Sequence, residues 1–346
     1  MQTTITEPRP GFPHGLDGLA PQARERSLWG APQVRHGFAE VATHDSVLRL
    51  AYEDWGDPAD DAVLLIMGLG AQLTFWPELF CEMLVDAGYR VVRFDNRDVG
   101  LSTKLPELQA PGPRWMRLLR CQLGLASRVP YTLEDMASDA QGVLDALGIE
   151  RAHIVGASMG GMIAQVFAGT RPDRTASLSL LFTTAVQRFF APPTPATLAK
   201  LRDAPDPEAT LEQRIDFKVR TMAHSAGPHY PYPEDELREA IATSFQRCDD
   251  STGLLRQLDA ICGTGDLRRY HGGITAPVTV IHGSADPLIP CRNGRALAKW
   301  LPGATLTVFE GMGHALPPAL LPDIAQTLFA NFERAASLAP ARSSQL

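Results

Sequence analysis

Apolar and polar positions alternate through residues 38–42 and 47–55, a period of two that predicts a pair of antiparallel edge strands. After them the pattern changes. Val63-Leu64-Leu65-Ile66-Met67, Arg90-Val91-Val92-Arg93-Phe94, Ala152-His153-Ile154-Val155 and the runs at 178–183, 278–281 and 304–309 are short and largely apolar, and most end in glycine or turn residues. They read as buried strands. Between them lie stretches with helical spacing. In 133–147, Leu133, Met136, Ala137, Ala140, Val143, Leu144 and Leu147 share one face, Thr132 and Asp135 form a capping box, and Gly148 closes the end. Residues 74–87 predict a further helix, capped by Thr74 and ended by Gly88, and 162–168 another. Strand–helix alternation of this kind builds an α/β fold, a mostly parallel central sheet with helices on both faces.

The alternation stops after residue 183. Residues 186–270 hold helix-like segments broken by proline, as in Ala191-Pro192-Pro193-Thr194-Pro195 and Gly227-Pro228-His229-Tyr230-Pro231-Tyr232-Pro233, and no buried-strand pattern. This predicts a helical cap inserted into one core made of residues 36–185 and 271–336. Residues 105–130, with Trp115, Met116, Leu118 and Leu119, are a second excursion placed to contact the cap. Residues 1–35, rich in Pro, Gly and charge, are expected to form an extended arm, and 337–346 a tail.

The chain has 346 residues, 45% hydrophobic and 21% charged, which suits one large core plus an inserted subdomain. A net charge of −7 without an evident basic cluster argues against nucleic acid as a partner. The five cysteines, Cys81, Cys121, Cys248, Cys262 and Cys291, are scattered and form no Cys-x-x-Cys, so they read as reduced thiols in a cytoplasmic protein. The first ten residues lack a basic start and an apolar centre, so no signal peptide is expected. No apolar run approaches the ~20 residues that cross a bilayer, and no membrane partner is expected.

The chemistry lies at the ends of the predicted strands. Gly156-Ala157-Ser158-Met159-Gly160 stands between a strand and a helix, the context of a nucleophile elbow, where glycines two residues either side of the serine let the turn close. A serine needs a base, and the base an orienting acid. Asp286 follows the strand ending at His282-Gly283, and His314 follows the last strand in Glu310-Gly311-Met312-Gly313-His314. The order Ser158, Asp286, His314 is that of hydrolases with a nucleophile elbow. Gly68-Leu69-Gly70-Ala71 follows a central strand, which assigns oxyanion-hole donors to the backbone N–H groups of Leu69 and Met159. Phe75, Trp76, Phe189, Phe190 and Met222 are the expected substrate-binding wall, beside Leu69. His153 reads as a packing residue and His282 as support for the acid loop. His224, His229 and His271 show no metal-ligand spacing, so neither a metal nor another cofactor is expected. A dinucleotide fold is the other reading of Gly68-Leu69-Gly70, but it lacks the third glycine in register. Asp266 is the competing acid.

Together these motifs resemble the α/β-hydrolase-fold serine hydrolases, from about residue 38 to about residue 334. Phe94-Asp95-Asn96-Arg97-Asp98-Val99-Gly100-Leu101-Ser102 is a further signature, with Arg97-Asp98 where members more often have Arg-Gly. That form, with Met67-Gly68 in place of the common His-Gly, is similar to the aclacinomycin methylesterase-like and bacterial carboxylesterase branch. The Asp95, Arg97 and Asp98 charges read as bracing for the loop beside the pocket. The resemblance implies a serine carboxylic-ester hydrolase acting on a small or medium-sized, apolar ester through an acyl-enzyme. A cofactor-free acyltransferase or perhydrolase with the same triad, or a non-catalytic binding protein, are the alternatives. Ser158 excludes the dehalogenases and epoxide hydrolases of this fold, which use Asp at the elbow. Oligomeric state is not readable.

Overall fold

The computed structural model describes residues 3–6, 34–43, 46–202 and 208–338. Among these, nine strands form one sheet: β1 (Thr3–Thr6), β2 (Val34–Ala42), β3 (Val47–Trp55), β4 (Asp61–Ile66), β5 (Tyr89–Phe94), β6 (Ala152–Ala157), β7 (Thr175–Leu181), β8 (Val278–Gly283) and β9 (Thr305–Phe309). Their order is β1-β9-β8-β7-β6-β4-β5-β3-β2. β3 runs antiparallel to both β2 and β5, and the other pairings are parallel. The helices are α1 (Glu78–Asp86), α2 (Arg114–Gln122), α3 (Leu133–Ala146), α4 (Met159–Thr170), α5 (Pro195–Arg202), α6 (Leu211–Ala226), α7 (Glu234–Arg247), α8 (Leu254–Thr264), α9 (Arg292–Trp300) and α10 (Leu321–Leu338), with a single turn at Arg268–His271.

Two buried layers explain why the central strands carry no polar alternation. Leu64 and Ile66 of β4 pack with Met136, Ala140 and Leu144 of α3 and with Ile163 and Phe167 of α4. Val63 and Leu65, pointing the other way, pack with Phe80 and Leu84 of α1 and with Ile324, Leu328 and Phe332 of α10. From β4 the chain passes to β5 on one side and then returns to β6 on the other. The carboxyl ends of β4 and β6 therefore lie side by side at a topological switch point, where open α/β sheets place their sites.

Between β7 and β8 the chain builds α5 to α8 and, among the described residues, no strand. Ile215 and Val219 of α6 and Leu237 and Ile241 of α7 give this insertion a small core of its own. The second excursion forms α2, and Arg117 reaches Asp259 of α8 at 2.8 Å.

Three boundaries differ from expectation. Thr74 does not cap a helix. Leu73–Phe75 is a 3₁₀ turn, Trp76 is extended, and α1 begins only after Pro77. Proline disfavours helical backbone in the residue before it, so the helix cannot start earlier. At the N-terminus, Thr3–Thr6 is an edge strand along β9, and Val34 and Arg35 already belong to β2. Residues 1–2 and 7–33 of the expected arm lie outside the described residues. At the other end α10 runs on to Leu338, leaving 339–346 outside them.

Candidate active site

β6 delivers the chain into a turn that only small residues permit. Ser158 adopts φ 57° and ψ −121°, a backbone region costly for any residue with a side chain, and α4 starts at the next residue. A Cβ on Gly156 would stand 2.3 Å from Gly160 O, and one on Gly160 2.0 Å from Ile66 O. Glycine at both positions lets the turn close on itself and against β4. Ser158 N–H donates to Leu181 O at 3.0 Å, and Thr183 Oγ1 donates to Ser158 O at 2.6 Å.

His314 lies on the loop after β9. Its N–H donates to Ser225 O at 2.6 Å, which ties the loop to the end of α6. Its Nε2 lies 3.0 Å from Ser158 Oγ and its Nδ1 2.8 Å from Asp286 Oδ2. Asp286 Oδ1 accepts the Leu288 and Ile289 N–H groups at 2.9 and 2.8 Å, and Oδ2 is 3.3 Å from His282 Nε2. Burial raises the Asp286 carboxyl, but the neighbouring His314 and His282 outweigh it and hold it well below the usual carboxylate range. An ionised Asp286 requires the proton of a neutral His314 to sit on Nδ1. Nε2 is then free to accept from the serine. The His282 ring, fully buried, is fixed by Ile289 O at 2.7 Å from its Nε2.

The loop after β4 presses on the nucleophile, since a Cβ on Gly68 would be 3.0 Å from Ser158 Cβ. Among the described residues, neither the Leu69 nor the Met159 N–H has a hydrogen-bond acceptor. The loop is held from outside. Gln257 of α8 accepts the Gly70 N–H at 2.8 Å and donates to Arg97 O at 2.7 Å, and Asn96 Nδ2 donates to Met67 O at 2.9 Å. Gln72 Nε2 donates to Ser244 O at 2.8 Å and Cys248 O at 2.9 Å.

Asp95, Arg97 and Asp98 do brace these loops. Arg97 makes a bidentate pair with Asp139 at 2.6 and 2.7 Å. Asp95 accepts the Leu73 N–H and pairs with Arg247, each at 2.7 Å. Asp98 has φ 69°, a conformation glycine adopts more easily, yet its carboxylate pairs with Arg256 and accepts the Tyr131 hydroxyl, both at 2.7 Å.

The expected substrate wall is largely dispersed. Trp76 is fully buried and stacks on Phe80, so it belongs to the core. Phe189 is 67% exposed on the outer surface. Phe190 packs partly on the core, and Met222 packs within the insertion's own core. Phe75 and Leu69 are half-buried beside the loop after β4, and Lys218 Nζ lies 5.8 Å from the Phe75 ring centre. Burial lowers the pKa of that lysine. Neither Lys218 nor Phe182 stands in a motif of its own, yet the Phe182 ring meets His314 edge-on at 4.8 Å. Phe182 directly follows β7, the strand next to β6, and that adjacency was the available signal.

His153 stacks on Phe332 at 4.1 Å, as a packing residue should. Asp266 pairs with Arg268 at 2.5 Å. Among the described residues no cluster of three His, Cys, Asp or Glu could hold a metal ion.

The profile of the alpha/beta hydrolase fold matches residues 61–317. The chain is 31% identical to rhodomycin D methylesterase of Streptomyces peucetius over 312 residues, covering 84% of this chain and 97% of that protein. It is 28% identical to a 2-hydroxy-6-oxononadienedioate/2-hydroxy-6-oxononatrienedioate hydrolase of Burkholderia vietnamiensis over 282 residues, covering 80% and 88%. Its fold is similar to that of an esterase from Exiguobacterium antarcticum, with a TM-score of 0.66 at 20% identity over 86% of this chain and 100% of the other.

Proposed function

The chain belongs to the α/β hydrolase fold family, and we propose that this hydrolase cleaves carboxylic esters through a covalent Ser158 intermediate. The observation that carries the proposal is the hydrogen-bonded line from Ser158 Oγ through His314 to Asp286, at 3.0 and 2.8 Å. Ser158 Oγ attacks the ester carbonyl while His314 Nε2 takes its proton. The carbonyl oxygen, now an oxyanion, meets the N–H groups of Leu69 and Met159. Collapse expels the alkoxide, which leaves with the proton from His314. Water then attacks the acyl group, gives its proton to the same nitrogen, and releases the acid as Ser158 recovers its own. Asp286 stays ionised and holds the imidazole.

For the substrate we infer a small or medium-sized, largely apolar ester, with methyl or other alkyl esters of a bulky acid as the specific candidates. The methylesterase relative supports this reading. The half-buried Leu69, next to the Gly68 that presses on Ser158, supports it as well. The insertion, as a cap, would roof the pocket.

Labelling by a fluorophosphonate, together with a panel of p-nitrophenyl and methyl esters of varied acyl size, tests both parts. Wild type should label and turn over apolar esters, and Ser158→Ala should do neither while remaining folded. Full turnover by Ser158→Ala would end the proposal. A large gain when an alcohol or a peroxide replaces water would favour acyl transfer or perhydrolysis by the same groups.

A further inference from the structure

α2 faces the opposite way from an ordinary surface helix. Its buried side chains are Arg117 and Cys121, one turn apart, with Arg117 clamped to Asp259 of α8. At 100° per residue the outward direction falls on Trp115 and Leu119, flanked by Met116 and Leu118. These four are 63%, 53%, 46% and 42% exposed. The apolar surface continues past the helix end. Leu125 N–H donates to Arg120 O at 2.9 Å, and Phe189 N–H donates to Gln122 O at 2.8 Å, which sets two more exposed side chains beside α2. Among the described residues, six of the fifteen large exposed hydrophobic side chains thus collect in one place. Scattered exposure needs no cause, but a contiguous patch does.

The charges around it point to the occupant. Arg120, Arg128 and Arg188 are exposed there, with the Arg188 guanidinium 4.7 Å from the Phe189 ring centre, while Arg114, though exposed, reaches to 3.7 Å from Asp259. The sequence has no Asp or Glu between Glu107 and Glu134, although the chain as a whole carries −7. Asp259 lies beneath the helix and is neutralised by Arg117, and Asp266 at the edge is paired with Arg268. A second copy docking symmetrically would set one arginine rim against the other. The undescribed residues 7–33 carry three arginines and three acids, so they offer no complementary charge.

We propose that this face docks on an anionic lipid surface. Trp115, Leu119 and their apolar neighbours enter the headgroup boundary, and Arg120, Arg128 and Arg188 sit at phosphate level. No helix among the described residues is long and apolar enough to cross a membrane, which is no obstacle for a helix lying in the plane of the interface. Sequence scanning for a basic cluster passes over these arginines because apolar residues separate them. Docking does not depend on Ser158.

Co-sedimentation of the full chain with sucrose-loaded vesicles tests the proposal. It should pellet with phosphatidylcholine–phosphatidylglycerol vesicles and stay in solution with phosphatidylcholine alone. Raising the salt should weaken binding several-fold. The double substitution Trp115→Ser, Leu119→Ser should lower the partition coefficient at least about tenfold. Its thermal melt and its hydrolysis of a soluble ester should remain as in wild type, and Ser158→Ala should pellet normally. A wild-type protein that stays in solution with both vesicles, or a double variant that pellets equally, overturns the proposal. So does a concentration-dependent dimer abolished by the same double substitution without vesicle binding, because the face would then belong to a second copy.

Discussion

Gln257 Oε1 accepts the Gly70 N–H at 2.8 Å while its Nε2 donates to Arg97 O at 2.7 Å. One fully buried side chain from the insertion therefore joins the loop after β4 to the loop after β5. The loop after β4 carries Leu69, whose N–H we propose as an oxyanion donor, and such a donor must be aimed beforehand, since a preorganised donor costs nothing at the moment of reaction. Gln257→Met keeps the volume and removes both bonds. We expect kcat to fall about tenfold to a hundredfold with KM nearly unchanged. The unpaired Gly70 N–H and Arg97 O should also cost roughly 1–3 kcal/mol of stability. Steady-state kinetics and a denaturant melt on the same sample check both. An unchanged kcat beside the lost stability would make Gln257 purely structural.

Asp286 and Asp266 separate by what surrounds them. Asp286 is buried, accepts two backbone N–H groups and faces His314, whereas Asp266 is paired only with Arg268 near the surface. Asp286→Asn should lower kcat by several orders of magnitude at similar KM, because an amide favours the imidazole tautomer with Nε2 protonated. Asp266→Asn should stay within about twofold of wild type, as exposed pairs contribute little. The reverse outcome would remove Asp286 from the mechanism.

The elbow was legible in the sequence because its requirement is local. A serine forced to positive φ needs small neighbours two residues away, so strand, turn and helix all show in one short run. Asp286 and His314 were legible for a related reason, each following an apolar strand at the same edge of the sheet. The Gly70–Gln257 bond joins positions 187 residues apart, and no local pattern announces it. Trp76 and Phe189 show the limit of reading aromatic residues as a pocket wall. Pro77 delays α1 by one turn, which sends the Trp76 ring into the core, and Phe189 follows the surface of α2 outwards. The excursion at 105–130, with its apolar Trp115, Met116, Leu118 and Leu119, was visible too. Which side of it meets the protein depends on Asp259, more than a hundred residues away.

Two histidines away from the candidate site predict how stability responds to acid. Burial pushes the pKa of both His153 and His271 down to about 4; Asp61 opposes this weakly at the first and Asp266 at the second, while the cations Arg151 and Arg268 add to it. His153 is locked between Phe332 and Ser177 Oγ, the latter 2.8 Å from its Nδ1. His271 Nε2 lies 3.0 Å from Gln165 Oε1, and its buried Nδ1 has no hydrogen-bond partner among the described residues. An unfolded histidine titrates near ~6.5. Between ~6.5 and about 4 the unfolded chain therefore binds protons that the folded chain refuses, so each ring's contribution is complete above that interval and is lost as pH falls through it. The loss amounts to roughly 3 kcal/mol per ring at most. Urea melts from neutral pH downwards should show unfolding free energy falling with pH, and His153→Phe should flatten the fall by up to one proton's worth of slope. The variant will start lower at neutral pH, because Ser177 loses its partner. Other carboxyls titrate in the same range, so the difference between the two slopes carries the test. A His153→Phe profile as steep as wild type would mean that the buried ring protonates like a free one.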